Sequence, residues 1–375
     1  MTNIAAHVVS RNLTMEKAAK KAGMTPERFE QVAGGARATL GEMRGIAKAL
    51  QVPVSSLMER EREAAEPIKM LFRQTLEQRE AIEVASHVDV LSAQVRDALS
   101  IARGLRSDLT WLDIFYGMEP TPDNAFAFAD MFRQKFGGIG DLEPFPELAR
   151  VLAALGVLLL FSRDPSVEGV SAIVDGHAIV IIGPRTFRPR MLFTVAHELG
   201  HLVAHHGHRD QGYAHLDKEA DWSRSPRRAE EKFADAFASA VLLPQHGVLS
   251  ALKVVREHLG ISNQPLGAAE IAWIAHLFHV SFEVAARRFE TFGLLPVSGA
   301  RAFYQRLQDD FKNPEKFAAD VGVPARQELV IETTPALMQS AAAKVRAGKL
   351  SLGKAAELLN VPVSAIVVAN SEITA

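Results

Sequence analysis

The sequence predicts an α+β protein that is mostly helical. Most of the chain carries apolar residues at the spacing of amphipathic helices, and Gly or Pro residues lie where those segments end. One stretch departs from this pattern: the short runs VLLLFS, GVSAIVDG and HAIVIIG are β-branched and bounded by Gly, Asp and Pro. They predict a small, mostly antiparallel three-stranded sheet. We therefore expect a helical N-terminal domain, a helical connector, a core that holds the sheet, and a helical C-terminal tail.

Composition is that of an ordinary globular protein with two or three domains. The chain has 375 residues, of which 48% are hydrophobic and 23% charged, and its net charge is −2. This charge excludes a protein that binds polyanions over its whole surface, so any contact with nucleic acid must come from a local patch. There is no cysteine, which excludes disulfides and thiolate metal ligands. No transmembrane run or signal-peptide core is visible, and we expect a cytoplasmic protein without membrane contact.

Residues 1–62 are predicted to form a small helical domain. The segment LTMEKAAKKAG reads as a helix that ends at Gly23. In MTPERFEQVAGG, Thr25 is an N-cap and Pro26 occupies the first helical position. Two short helices joined by a tight glycine turn are typical of a helix-turn-helix. This segment, together with IAKALQVPVSSL, resembles the XRE-type repressor domain.

The resemblance implies DNA binding by the second of these helices. It would present Thr25, Arg28 and Gln31 to base edges. Glu27 and Glu30 lie in or near the same face, where they would repel phosphates. A module that docks another protein is therefore the alternative.

Residues 63–141 are predicted to form a helical connector. Apolar residues recur at helical spacing with no glycine before Gly104, so one long helix or a helical hairpin fits, and either could form a homodimer. Trp111, Phe115 and Tyr116 follow, before a proline-rich turn. We expect these rings in a packed loop, as core rather than as a stacking surface for nucleic acid, because the stretch is not basic.

The third region, residues 142–300, contains an HExxH motif within RMLFTVAHELGHLVAH. On a helix, positions i and i+4 lie on one face, so His197 and His201 can offer two imidazole nitrogens to one metal ion. Glu198 lies beside them, where a carboxylate can take a proton from water. The alternative is a pair of buried histidines that serve only the core.

A second apolar helix, AEEKFADAFASAVLLP, supplies a third ligand. Glu231 and Asp235 lie one turn apart on it. Glu231 would complete a zinc site of two histidines and one glutamate. Asp235 could accept the ring N–H of a ligand histidine and hold its tautomer. The alternative is that Glu231 is one of several solvated charges in PRRAEEK. HExxH followed by ExxxD is the pattern of thermolysin-like gluzincins.

The two motifs together resemble the ImmA/IrrE family of metallo-endopeptidases. The resemblance rests on HELGHLVAHH and E-x-x-A-D-x-F-A-x-x-x-L-L-P and covers residues 156–295. It implies a gluzincin-like core, a Zn²⁺ cofactor and cleavage of a DNA-binding repressor or antitoxin-like protein. Such cleavage would regulate transcription of stress, phage or mobile-element genes. The family commonly has Asn where this chain has Asp235, and either side chain can accept an imidazole N–H.

Residues 206–228 are predicted to form a polar loop between the two ligand helices. Peptide hydrolysis needs a hydrogen-bond donor that stabilises the oxyanion, and gluzincins use Tyr or His for it. Tyr213 and His215 are the candidates, followed by His208. The alternative is that these are hydrated loop residues.

Residues 301–375 are predicted to form a helical tail that three prolines divide. Its end, SAAAKVRAGKLSLGKAAELLNVPVSAIVVA, resembles a small helix-turn-helix of antitoxin-like proteins, and a dimerisation or docking hairpin is the alternative.

Two functions from different classes remain open. The first is a zinc metallo-endopeptidase whose N-terminal domain brings it to DNA or to a DNA-bound repressor. The second is a metal- or ligand-sensing transcription regulator, or an antitoxin, with little peptidase activity. A sensor has no need of a general base beside its metal, so Glu198 favours the enzyme.

Overall fold

The computed structural model describes most of the chain, and it divides into two compact units, Met1–Ser100 and Ile101–Ala375. The predicted start of the connector and the candidate His208 lie outside the described residues. The predicted domain boundaries stay predictions. The described residues are 13–52, 85–205, 213–218 and 229–372, with residues 4, 7, 8, 54, 57, 68 and 71.

The first unit contains short capped helices at the positions that the sequence predicts. The Thr25 hydroxyl accepts a hydrogen bond from the amide of Arg28, and Gly23 ends the preceding helix in the left-handed conformation with φ 71°. Phe29 and Leu50 are among the residues that form the core of this unit. The helices fully within the described residues of this part of the chain are α1 (Met15–Ala22), α2 (Pro26–Ala33), α3 (Leu40–Leu50) and α4 (Ala85–Ala102), the last of which ends two residues beyond the unit.

The second unit contains a mixed four-stranded sheet in the order β1-β3-β2-β4. The three predicted strands are present, with β1 parallel to β3 and the other two pairs antiparallel. The strand count is where the prediction was wrong, because β4 lies in the segment that was expected to be a loop. The strands are β1 (Leu158–Phe161), β2 (Val167–Val174), β3 (His177–Ile182) and β4 (Tyr213–Lys218).

The sequence did not predict the fourth strand, because this segment contains few apolar residues. Among its described side chains, Ala214 and Leu216 alternate as buried apolar residues, and the residue between them, His215, is also buried. Strand β4 is stabilised by pairing with β2 from Ile173 to Val167, a contact between distant segments that local patterning does not reveal.

Helices surround this sheet and bury its face on the side of α7. Leu199 of α7 and Phe237 of α8 belong to the same core as Val180 and Ile182 of β3. The helices before the C-terminal tail are α5 (Ala125–Phe132), α6 (Leu148–Ala154), α7 (Arg188–Ala204), α8 (Ala229–Leu242), α9 (Gln245–Leu259), α10 (Ala268–Leu277) and α11 (Phe282–Thr291).

Aromatic residues of the predicted connector pack into this core. Trp111 and Phe115 are buried, as expected, but the expectation was wrong for Tyr116, which is 87% exposed. The Phe128 ring of α5 lies 5.1 Å from the Phe233 ring of α8, edge to face. Residues on both sides of position 141 therefore share one core.

The C-terminal tail is helical, as predicted. Asn360 lies between its last two helices in the left-handed conformation and donates a hydrogen bond to the carbonyl of Ser162, which follows β1. A DNA-binding role for this pair of helices stays a prediction. The tail contains α12 (Gly299–Phe311), α13 (Pro314–Asp320), α14 (Pro335–Arg346), α15 (Leu352–Leu359) and α16 (Val363–Glu372).

No single helix among the described residues is both long and apolar enough to cross a membrane, although two bent helix pairs reach that length and composition when taken together.

The tail also binds the outer edge of β1 through Thr334. Its hydroxyl donates to the carbonyl of Val157 at 2.9 Å and accepts from the amide of Leu159 at 2.7 Å. Its own amide donates to the carbonyl of Leu159 at 3.0 Å. Thr334 thereby satisfies strand groups that would otherwise be exposed at a sheet edge.

We expect Thr334→Val to lower the free energy of unfolding by about 1–3 kcal/mol, because it leaves a buried amide and a carbonyl without the hydroxyl. Urea denaturation measures this change. Thr333→Val is the matched control: the Thr333 hydroxyl is also buried but has no hydrogen-bond partner among the described residues. Equal losses in the two variants would contradict the role assigned to Thr334.

Candidate metal centre

The first two candidate ligands lie one turn apart on α7. Pro189 is compatible with the first turn of this helix, and almost every side chain from Met191 to Val203 is buried. His197 and His201 therefore share one buried face, with 3.1 Å between their Nε2 atoms. Two imidazole nitrogens at this separation face a common point.

The third candidate ligand comes from α8, which packs closely against α7. A Cβ atom on Gly200 would lie 2.9 Å from the Cα atom of Ala234, so the two backbones approach as closely as a glycine allows. Glu231 lies one turn before Ala234, and its two carboxylate oxygens are each 3.5 Å from the Nε2 atom of one histidine, His197 or His201. The helix crossing therefore carries a carboxylate to the two imidazoles.

These three side chains have the geometry and chemistry of a metal site. One ligand atom from each of His197, His201 and Glu231 lies within 4.8 Å of the other two. In a tetrahedral site with bonds of about 2.05 Å, neighbouring ligand atoms are about 3.3 Å apart. The 3.1 Å between the two Nε2 atoms is close to that value, and each Nε2 lies 3.5 Å from a different oxygen of the Glu231 carboxylate. The residues present therefore fit a small divalent ion with one position left for another ligand.

Electrostatics prepare the site for a cation. Burial lowers the pKa of His201 well below its usual value, and the neighbouring His215 and His197 lower it further. His201 therefore stays neutral and keeps a nitrogen lone pair for a metal. Burial would raise the pKa of Glu231, but contacts with His197 and His215 outweigh this and hold that pKa far below its usual range. Glu231 is thus an anion beside the neutral imidazole of His201.

Asp235 lies where it can orient one of the ligands. Its Oδ1 atom is 3.1 Å from Nδ1 of His197. A carboxylate at this distance can accept the Nδ1–H, which would leave the lone pair on Nε2 for a metal. The sequence analysis assigned this position to Asp235, and its role stays a prediction.

Glu198 lies on the other side of α7 from the α8 contact. Its side chain is fully buried and faces Gly169 of β2. The sequence predicts a strand that starts at this glycine, but the glycine lies inside β2, from Val167 to Val174. The sequence does contain a signal for this contact. A glycine that adjoins a β-branched run often marks a position where another group approaches the strand closely.

The two candidate oxyanion donors lie on β4. His215 Nε2 is 2.8 Å from Glu231 Oε1, and its ring stacks on His201 with centroids 3.9 Å apart. His215 therefore contacts two of the candidate ligands instead of lying in a hydrated loop. Tyr213 begins the strand, and its side chain lies outside the described residues.

The three candidate DNA contacts lie in the first unit, and two of them have partners there. The Arg28 guanidinium binds Glu42, with 2.7 Å between Nε and Oε1, and also donates to the carbonyl of Arg37. Thr25 caps α2 through its hydroxyl, and Gln31 is exposed. Their contact with DNA stays a prediction.

Residues 153–290 match the family model of the IrrE N-terminal-like domain, peptidase family M78. The matched residues include all three candidate metal ligands and Glu198, and they support the resemblance to the ImmA/IrrE family. A metallopeptidase-type function follows for this domain. The N-terminal helices lie outside the match. No curated protein matches the chain.

We expect about one divalent metal ion per chain, because three ligand atoms converge on one point. Glu231→Ala should lose the metal, since two remaining imidazoles hold an ion poorly. Elemental analysis after dialysis measures the content. Glu230→Ala is the matched control, because this neighbouring carboxylate is half exposed and is not part of the ligand group. Full retention of metal by Glu231→Ala would show that the third ligand is wrongly assigned.

Proposed function

We propose that the protein is a zinc-dependent endopeptidase that cleaves a DNA-binding repressor or antitoxin-like protein. In this way it would regulate transcription of stress, phage or mobile-element genes. The observation that carries the proposal is the convergence of His197, His201 and Glu231, with the buried Glu198 next to His197 in the chain. The match to a peptidase family over the same residues supports it.

The ligand set favours zinc over other common ions. Two imidazole nitrogens and one carboxylate oxygen are typical of catalytic zinc sites, whereas magnesium and calcium prefer oxygen ligands alone. His197, His201 and Glu231 would hold the ion. A zinc ion supplies Lewis acidity, which makes water a nucleophile near neutral pH and polarises a peptide carbonyl.

Glu198 would act as the general base. It follows the candidate ligand His197 directly in α7, and its side chain is fully buried. Its carboxylate takes the proton from the attacking water and then delivers it to the leaving amine. Asp235 holds the His197 ring by accepting its Nδ1–H.

Strand β4 would border the substrate groove. It is the last strand of the sheet beside the candidate centre, and His215 on it reaches Glu231. An extended peptide can add to such an edge through backbone hydrogen bonds. His215, with its nitrogen already at the centre, and Tyr213 at the start of the strand are the proposed donors for the oxyanion.

The N-terminal unit would direct the protease to its substrate. The XRE-like resemblance of its helices supports a contact with DNA or with a DNA-bound repressor. The intramolecular ion pair of Arg28 with Glu42 must be exchanged if Arg28 is to reach a base. Gln31, which is exposed, needs no such exchange.

Glu198→Gln separates this function from that of a metal-sensing regulator. Glutamine keeps the size of the side chain but cannot act as a base at neutral pH, so the variant should fold and retain its metal. Cleavage of a purified repressor that the wild-type protein cuts should fall by about 10²–10⁴-fold. Gel analysis of the repressor measures this loss, with Glu230→Gln as the control. Equal cleavage, or equal induction of the repressor's genes in cells, would favour the regulator.

Contact with DNA through the first unit should depend strongly on salt. Each phosphate neutralised by Lys or Arg releases counterions, so affinity should fall steeply as the salt concentration rises. Fluorescence anisotropy with operator DNA measures this slope. A chain without residues 1–60 should lose binding but keep its metal content. Binding that survives the deletion would assign the DNA contact to another part of the chain.

A further inference from the structure

Gly169 occupies the point of β2 that lies against Glu198. An ideal Cβ atom at Gly169 would be 2.0 Å from Glu198 Oε1, 2.8 Å from its Cδ and 2.9 Å from its Cγ. Contacts below 3.0 Å do not occur in a relaxed packing. The carboxyl group of Glu198 therefore fills the space that any side chain at position 169 would need.

The strand is also irregular at this point. The pairing of β2 with β4 shifts register between Val167 and Gly169, which marks a bulge. A glycine within a strand contributes no packing of its own and often marks a close approach by another group. Here the approaching group is the side chain of Glu198, so the absence of a side chain at Gly169 makes room for this one residue.

An ion pair joins β2 to α7 beside the glycine. Glu168 accepts hydrogen bonds from Arg190 of α7 and from Arg185, the latter at 3.2 Å. Arg190 lies about two turns before Glu198 on the same helix. This ion pair opposes any separation of strand and helix, so a larger residue at position 169 would displace the Glu198 carboxylate.

We propose that Gly169 is a positioning residue whose missing side chain provides the space for the Glu198 carboxylate. The consequence for catalysis rests on the proposed function of Glu198, whereas the packing relation does not. Glu198 is fully buried, so a displaced carboxylate has no solvent to enter. The Glu198 carboxylate must then move within the core, away from the position from which it would take a proton from the attacking water.

A double-mutant cycle tests the packing relation without any substrate. Gly169→Ala should lower the melting temperature of the metal-free protein by about 2–10 °C, as expected for one extra methyl group in a packed core. In the Glu198→Ala background the same substitution should cost little, because the new methyl group enters the space that the carboxyl group has left. A penalty of equal size in both backgrounds overturns the proposal.

Gly200→Ala is the matched control for this cycle. Gly200 is also a tightly packed glycine, but its Cβ would meet Ala234 instead of Glu198. Its penalty should be the same with and without the Glu198 carboxylate. If Gly169→Ala does not fold, folding of Gly169→Ala/Glu198→Ala gives the expected coupling, and failure of both overturns the proposal.

Kinetics with a purified repressor that the wild-type protein cleaves test the consequence for catalysis. Gly169→Ala should retain its metal and its KM, while kcat falls about 100-fold, as expected for a base displaced by about 1 Å. An unchanged kcat, with Glu198→Gln inactive, overturns the positioning role alone. If instead Glu198→Gln cleaves as wild type does, the proposed function fails, and the melting temperatures still decide the packing relation.

Discussion

The close packing of α7 against α8 is the constraint on which the candidate centre depends. Gly200 and Ala234 bring the two helix backbones together, because a side chain at Gly200 would collide with Ala234. This approach carries Glu231 to the nitrogens of His197 and His201. Ridges of larger side chains at this crossing would hold the helices further apart, and the carboxylate would no longer reach both imidazoles.

The buried polar groups of the candidate centre combine a neutral imidazole with an ionised carboxylate. Burial keeps the imidazole of His201 neutral, and neighbouring imidazoles keep the carboxylate of Glu231 ionised. Such a cluster is costly inside a protein unless its charges are compensated. A divalent cation at the common point of the ligand atoms would provide that compensation, which is the physical reason to regard the cluster as a metal centre.

Strands β2 and β4 of the sheet both contact residues of the candidate centre or its neighbour Glu198. Gly169 of β2 leaves space for Glu198, and His215 of β4 reaches Glu231 across the edge of the sheet. At the other end of the sheet, Thr334 binds the outer edge of β1. The C-terminal tail therefore covers one edge of the sheet, while the strand at the other end borders the candidate centre.

The sequence by itself predicted many of the helices, three of the four strands and the three candidate ligands, since helical spacing and β-branched runs are local signals. Position i and i+4 on one helix are neighbours in any fold, so His197 and His201 could be paired from their spacing alone. Only the tertiary structure decided the places of β4, His215 and Gly169. Strand β4 is stabilised by its pairing with distant β2, and the meaning of Gly169 depends on a glutamate that lies far along the chain. Contacts between segments that are remote in sequence leave no periodic trace in either segment, and for that reason they became visible only in the folded chain.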